Sequence, residues 1–216
     1  MDNLIAILND KTIYAMNAHC LVKHAIESMG FSPTLQRQFY TTCFTETPLT
    51  QIKQLTKKIK GRRIELAPYG LVFWKNQLFN IGASPAIYIN AKGTSISKFL
   101  LDEFRSIFNG ITQFKSLKEA ESAHYKNIVH YYSLINVVKD EHDFMWEREW
   151  RHHGDFRFTY RDVVAIVAQD PDRFRSTCQQ HCNEQLTKYL NRLPIISPDF
   201  TYEELIEELA EITWAR

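Results

Sequence analysis

The chain has 216 residues, of which 44% are hydrophobic and 24% charged, and its formal net charge is +1. These values are ordinary for a globular protein, so they exclude a disordered, collagen-like or disulfide-dense chain. A charge this balanced gives no overall field that would hold nucleic acid or a membrane, so any such contact needs a local patch.

Length and targeting signals favour a single domain over residues 1–216 in the cytoplasm. No apolar run approaches the roughly 18 residues that span a bilayer. The acidic start MDNLIAILND is not typical of a secretory signal. Four cysteines are too few for a disulfide scaffold of this length, so we expect reduced thiols.

Apolar spacing and β-branched or aromatic runs predict the elements in chain order. In the first half, helices are predicted over 2–9, 18–29, 48–59 and 95–109, and strands over 38–46, 69–75 and 85–90. In the second half, helices are predicted over 115–132 and from 170 to about 190, and strands over 133–139, 146–153, 155–160, 162–169 and 194–197. The run 162–169 is almost wholly apolar, which indicates a buried central strand.

The last predicted helix covers about 201–213 and begins at Thr201 as its cap. Leu205, Ile206, Leu209 and Ile212 form an apolar stripe, and five glutamates lie opposite. We therefore expect this helix to pack on the domain through that stripe.

Mixed helices and strands without strict alternation predict an α+β fold, a single domain with a central mixed β-sheet flanked by helices. The predicted sheet includes 39–45, 70–75, 86–90, 133–138, 146–152 and 162–168.

The segment 145–153, MWEREWRHH, holds the densest cluster of unusual residues. Period-two alternation places Glu147, Glu149 and Arg151 on one side of a strand, and Trp146 and Trp150 on the other. Two facing carboxylates can raise one another's pKa, bind a cation or accept hydrogen bonds from a ribose. Glu149, Glu147 and Arg151 are therefore the candidate catalytic residues. The alternative is a structural strand whose charges pair with neighbours while both tryptophans lie in the core.

Two further clusters have simpler explanations. Cys178 and Cys182 share a helix face beside His181, but a structural zinc site usually has a second ligand pair, so we predict no metal. The segment 53–63 holds six Lys or Arg in eleven residues, with Lys57 and Arg62 as phosphate-binding candidates. It contains no aromatic residue to stack a base, so a solvated surface is the alternative to a nucleic-acid contact.

Four motifs in order resemble the bacterial AbiGi-type abortive phage infection family. They are CFTETPL (43–49), YGLVF (69–73), PAIYI (85–89) and EREWR (147–151). The resemblance spans about 40–175 and implies a role in phage defence, on the antitoxin side of a two-component system. It also implies a first strand with an H-F/I-T motif. This chain starts inside the following helix at Asn3-Leu4, so we expect a shortened start or no such strand.

A second resemblance, to ADP-ribosyltransferases, rests on two strands. Tyr40-Thr41-Thr42-Cys43 is similar to an S-T-S strand, and Glu147-x-Glu149 is similar to the acidic pair. It implies NAD as cofactor and Glu149 as the group that holds the nicotinamide-ribose hydroxyl, with Glu147 as its helper. Thr42, Tyr69 and Trp150 are the binding candidates in the motif strands.

Three hypotheses follow. The first is a phage-defence accessory or antitoxin that acts through a partner protein. The second is an NAD-dependent, ADP-ribosyltransferase-like enzyme, for which Glu149, Arg151 and Thr42 should converge on one cleft. The third is a nucleic-acid contact through 53–63.

Overall fold

A computed structural model describes residues 1–18, 20–58, 65–90, 95–109, 123–138 and 145–210. Their contacts divide the chain into two compact units made of interleaved segments. Unit 1 comprises Met1–Ile13, Thr47–Ile81 and Arg157–Arg216, and unit 2 comprises Tyr14–Glu46 and Gly82–Phe156. Both units mix helices and strands, which confirms the α+β class. That residues 1–216 fold as one domain stays a prediction.

The regular elements are as follows. The helices are α1 (Asp2–Asp10), α2 (Lys23–Ser28), α3 (Pro33–Arg37), α4 (Lys75–Asn80), α5 (Ser95–Phe108), α6 (Ala123–Leu134), α7 (Pro171–His181), α8 (Glu184–Leu190) and α9 (Tyr202–Ala210). The strands are β1 (Thr12–Ile13), β2 (Thr41–Thr45), β3 (Tyr69–Phe73), β4 (Ser84–Pro85), β5 (Ile87–Asn90), β6 (Ile135–Val138), β7 (Glu149–His153), β8 (Phe156–Arg157), β9 (Val163–Ala168) and β10 (Ile195–Ile196). Short 3₁₀ helices occupy Leu49–Thr56, Met145–Glu147 and Tyr160–Asp162.

Strand β9 is the middle strand of the unit 1 sheet, with β10 parallel on one side and β3 antiparallel on the other. All six of its residues are buried. A strand covered on both faces needs no polar alternation, which is why this run of the sequence is continuously apolar. The prediction of a buried central strand is confirmed.

The described residues of unit 2 form two sheets and an aromatic core. Strand β7 lies between β2 and β4, antiparallel to both, while β5 and β6 form a parallel pair. Phe31, Phe39, Phe104 and Phe108 are fully or almost fully buried and contact one another. This ring cluster, supplied by the segments around α3 and α5, forms part of the apolar core that stabilises unit 2.

The prediction of one central sheet is corrected. The six predicted strands form, but their hydrogen bonds place them in three sheets: β2 with β7, β3 with β9, and β5 with β6. Local sequence patterns identify strands well, whereas the partner of each strand depends on which distant segments pack together.

Three predicted helices differ from the structure in their boundaries or type, and local capping explains one of the differences. The predicted helix from 170 to 190 begins as expected at Asp170-Pro171, but it divides into α7 and α8 because the Asn183 side chain accepts a hydrogen bond from the Leu186 amide. The predicted helix over 48–59 is a 3₁₀ helix over Leu49–Thr56. Of the predicted helix 115–132, residues 115–122 lie outside the described residues.

Helix α9 packs in unit 1 more narrowly than its sequence predicts. Leu205 is 5% exposed against Val167 and Ile196, whereas Ile206 is 47% exposed. Leu209 is partly buried in the same cluster, and Ile212 lies outside the described residues. The helix therefore packs through a single row of residues, Leu205 and Leu209, which are four positions apart and lie on the same line along the helix.

Two side chains anchor the ends of this helix. The Glu204 amide donates to the Thr201 hydroxyl over 3.3 Å, so the predicted cap is confirmed. Glu208, predicted to face water, instead accepts a hydrogen bond from the Ile195 amide over 3.3 Å. Among the described helices, none combines the length and apolar character that crossing a bilayer requires.

Candidate functional site

The centre of the candidate site is a paired carboxylate and guanidinium on β7. Arg151 donates from Nε to Glu149 Oε1 and from Nη2 to Glu149 Oε2, both over 3.1 Å. Its third nitrogen, Nη1, donates to the Ser133 carbonyl over 2.7 Å. The Arg151 side chain has no exposed surface, while that of Glu149 keeps 15%. The two parallel hydrogen bonds from the buried guanidinium fix the orientation of the Glu149 carboxylate, which still has some surface exposed to solvent.

Side chains from three other strands of unit 2 surround this carboxylate. Tyr88 on β5 donates its hydroxyl to Glu149 Oε2 over 2.8 Å, and Asn136 on β6 donates its amide over 3.2 Å. Cys43 on β2 is the register partner of Arg151, so its side chain lies on the same face of the sheet. Glu149 is thus the point where the β2–β7–β4 sheet and the β5–β6 pair of unit 2 meet.

The protonation states follow from this crowding. Burial raises the pKa of Glu149, but the Arg151 charge and hydrogen bonds from Arg151, Cys43 and Tyr88 outweigh it, so the pKa lies below its ordinary value. Burial of the thiol raises the pKa of Cys43 to about 12, and the Glu149 charge is the second cause. The residue as a whole is nevertheless exposed to solvent. Burial and Glu149 also raise the pKa of Tyr88. At neutral pH the site is therefore an ionised carboxylate among protonated donors.

The predicted row of Glu147, Glu149 and Arg151 is corrected at its first member. Arg148 has a φ of 49°, which ends the extended backbone, and residues 145–147 form a 3₁₀ helix. For the same reason Trp146 is not a core residue but is 40% exposed. Glu147 still acts on the site, because its charge contributes to the raised pKa of Tyr88.

Thr42 and Trp150 lie on the opposite face of the sheet from Glu149. In the antiparallel register Thr42 faces His152, and its hydroxyl donates to the Gly154 carbonyl over 2.9 Å. Trp150 is buried, and its indole nitrogen donates to Glu46 over 3.1 Å. The expected convergence of Thr42 with Glu149 and Arg151 is therefore wrong, because adjacent strand residues point to opposite faces.

The remaining binding candidates do not belong to this cluster. Tyr69 begins β3 and Lys57 follows the 3₁₀ helix Leu49–Thr56, both in unit 1. Arg62 lies outside the described residues.

Two lysines of the basic segment have carboxylate partners. Lys53 Nζ lies 2.5 Å from an Asp199 oxygen, and Lys58 Nζ lies 3.6 Å from a Glu65 oxygen. These pairs reduce the positive charge that the described part of 53–63 offers to a phosphate.

Three members of the cluster were not singled out by the sequence: Cys43, Tyr88 and Asn136. Cys43 and Tyr88 lie within the motif strands. If the β2–β7 register had been known, side-chain alternation would have placed Cys43 on the same face as Glu149. No local sequence pattern predicts that β5 and β6 lie next to the Glu149 carboxylate.

Cys178 is buried at the end of α7, and Cys182 is half-buried just after it, with the two thiols in hydrogen-bond contact. Within the described ranges, no group of three or more His, Cys, Asp or Glu side chains is arranged to hold a metal ion. The predicted absence of zinc stays a prediction. Comparisons with protein-family models, curated proteins and solved structures give no match to this chain.

Proposed function

We propose that this chain is a cytoplasmic component of a phage-defence system and that it transfers ADP-ribose from NAD at Glu149, which acts with Arg151 and without Thr42, since Thr42 lies on the other face of the sheet. The observation that carries the proposal is the Glu149 carboxylate itself. It is ionised, held in one orientation by a buried arginine, and still 15% exposed. A preorganised charge of this kind suits the stabilisation of a cationic transition state.

In the proposed reaction, the bond between C1′ of the nicotinamide ribose and the pyridinium nitrogen breaks. Nicotinamide leaves as a neutral molecule with the bonding electron pair, and C1′ develops oxocarbenium character. The acceptor nucleophile then bonds to C1′ and releases its proton to solvent. Glu149 accepts a hydrogen bond from a ribose hydroxyl and stabilises the positive charge. Its lowered pKa suits it to this role better than to donating a proton.

The pairing of two motif strands supports one shared site for the two motifs. The CFTE motif forms β2 and the EREWR motif contributes to β7, and the two strands are hydrogen-bonded neighbours from Thr41–His153 to Thr45–Glu149. Motifs that are 100 residues apart in sequence thus lie together around one carboxylate, as expected when they serve one site.

Glu149→Asp tests the proposal without leaving Arg151 unpaired. The aspartate keeps the charge but draws the carboxylate back by about 1.5 Å, the length of one carbon–carbon bond. We expect nicotinamide release from NAD to fall about 100-fold, because misplacement of about 1 Å can cost that much. The same variant should lose protection against phage in a plaquing assay.

The matched control is Glu46→Asp, which shortens a second glutamate of unit 2. Glu46 pairs with Arg148 and Trp150 rather than with Arg151. It should keep both activities, and thermal unfolding should show that the two variants are similarly folded. Full NAD cleavage by Glu149→Asp would refute the proposal.

An accessory that binds a partner protein is the second candidate, and the exposed face of α5 favours it. Ile96 and Phe99, three residues apart, are largely exposed. If Ile96→Lys with Phe99→Lys abolishes protection while Glu149→Asp preserves it, the partner-binding function replaces the enzymatic one.

A further inference from the structure

Unit 1 contains an open cavity of about 720 Å³, which is within the size range of small-molecule sites. All of its lining residues belong to unit 1, and none of them was a site candidate. They are Lys11, Thr159, Tyr160, Arg161, Gln185, Lys188, Tyr189 and Arg192.

The charged side chains named above as lining this cavity are all positive. Lys11, Arg161, Lys188 and Arg192 are cationic, and no carboxylate is among the lining residues that the structure describes. Among the residues that the structure describes, none of these four forms an ion pair. Four cationic side chains without an ion-pair partner among the described residues make the local field positive, which favours an anionic ligand.

The backbone positions these cations from three elements. Helical spacing along α8 and just beyond its end places three lining residues on one face: Gln185, Lys188 and Arg192. Lys11 ends α1 in the left-handed conformation, with a φ of 51°. Arg161 lies in the 3₁₀ helix Tyr160–Asp162.

Asp162, the acidic residue of that 3₁₀ helix, is already engaged. Its carboxylate accepts hydrogen bonds from the Thr159 amide and hydroxyl, over 2.6 and 2.9 Å. The capping box therefore orients this acid toward Thr159, and Arg161 keeps its charge for the cavity.

The wall of the cavity is aromatic and rigid. The rings of Tyr160 and Tyr189 stack with centroids 5.0 Å apart and planes inclined by 22°. The single Tyr189 hydroxyl hydrogen lies between two backbone carbonyl acceptors, those of Tyr160 and Val163. Lys11 Nζ lies 4.5 Å from the centre of the Tyr160 ring, a cation–π contact.

We propose that this cavity binds a nucleoside phosphate, either as a free nucleotide or as one unit of a single-stranded nucleic acid. The guanidinium and ammonium groups pair with phosphate oxygens. The half-buried Tyr189 ring, backed by Tyr160, offers apolar surface for a base, and Gln185 and Thr159 offer polar contacts to base or sugar. A cluster of cations alone would take any anion, whereas cations beside stacked rings select an anion that carries a flat ring. The proposal does not depend on the function of Glu149.

The double variant Lys188→Gln with Arg192→Gln tests the cavity. Both side chains are exposed, so the fold should be retained. The control, Lys98→Gln with Lys126→Gln, removes the same charge from two exposed lysines on helices of unit 2. The probes are ATP, AMP, ribose 5-phosphate and a fluorescent twelve-nucleotide oligothymidylate, each titrated into the full chain at 50 and 200 mM NaCl.

We expect the cavity variant to weaken binding of ATP or of the oligonucleotide at least tenfold, and the control to weaken it less than twofold. Tighter binding of ATP identifies a free nucleotide as the source, and tighter binding of the oligonucleotide identifies a nucleic acid. Ribose 5-phosphate should bind more weakly than AMP, which carries the same single phosphate and adds only the base. The proposal is overturned if neither ATP nor the oligonucleotide binds saturably, if both variants lose binding equally, or if ribose 5-phosphate binds as tightly as AMP.

Discussion

Arg151 has no exposed surface, yet it carries a full charge, and Glu149 is its counterion. A charge moved out of water costs several kcal/mol, and only close pairing and further hydrogen bonds compensate for it. Here every guanidinium contact recorded in the structure is to Glu149 or to the Ser133 carbonyl. The pair is therefore a structural element of unit 2 as well as its proposed site.

Removing one partner of the Glu149–Arg151 pair should destabilise the fold much more than removing both partners. We expect Glu149→Gln to lower the free energy of unfolding by about 3–5 kcal/mol, because it leaves the Arg151 charge buried without a counterion. The double variant Glu149→Gln with Arg151→Met should recover most of that loss. Urea unfolding of the three proteins measures both effects, and a Glu149→Gln variant as stable as the parent would contradict the burial of Arg151.

The same pair predicts how stability depends on pH. The pKa of Glu149 is lower in the folded chain than its ordinary value of 4.5, so its contribution is complete above that pH and is lost as the pH falls below it. The wild type should therefore lose stability more steeply than the Glu149→Gln/Arg151→Met variant between pH 5 and pH 3. Thermal unfolding across this range compares the slopes; parallel curves would show that Glu149 does not titrate with folding.

At the scale of elements, α9 shows how a helix can satisfy its sequence pattern and still pack differently. Four apolar residues define a broad stripe, but the cluster of Val167 and Ile196 receives Leu205 directly and leaves Ile206 half in water. The Glu208 carboxylate and the Ile195 amide then fix the rotation of the helix. The width of an apolar stripe therefore does not give the width of the contact.

Two alanine substitutions should separate these neighbours. Leu205→Ala should lower the free energy of unfolding by about 2–3 kcal/mol, the lower part of the range for a buried leucine, because the site lies at the edge of a small cluster. Ile206→Ala should change it by less than about 0.5 kcal/mol, as a surface substitution does. Chemical denaturation gives both values; equal losses would mean that Ile206 is also packed.

At the scale of the molecule, the chain passes between the two units four times. Unit 2 draws its site from both of its segments, since β2 precedes Glu46 and β7 follows Gly82. Neither segment can complete the β2–β7 pairing or the phenylalanine core alone.

A fragment comparison tests this dependence. Residues 82–156 alone should be largely unfolded by circular dichroism, because they lack β2, Phe31 and Phe39. Residues 14–156 contain all of unit 2 and should show a cooperative thermal transition. A cooperative transition in the shorter fragment would mean that the core of unit 2 does not need its first segment.

Much of the local structure could be predicted from the sequence. The apolar run of β9, the cap at Thr201 and the helix start at Asp170-Pro171 depend on neighbouring residues only, and the structure confirms each of them. Alternation also placed Glu149 and Arg151 correctly on one face of β7. The reason is that side-chain periodicity and capping are properties of short backbone segments.

The tertiary structure decided the rest. It distributed the strands over several sheets, buried Arg151, and brought Tyr88 and Asn136 to Glu149 from strands that no spacing rule connects to it. The left-handed backbone at Arg148 removed Glu147 from the strand, and the pairing register placed Thr42 on the far face. These outcomes depend on strand partners and on contacts between distant segments, whose energies arise only when the whole unit packs.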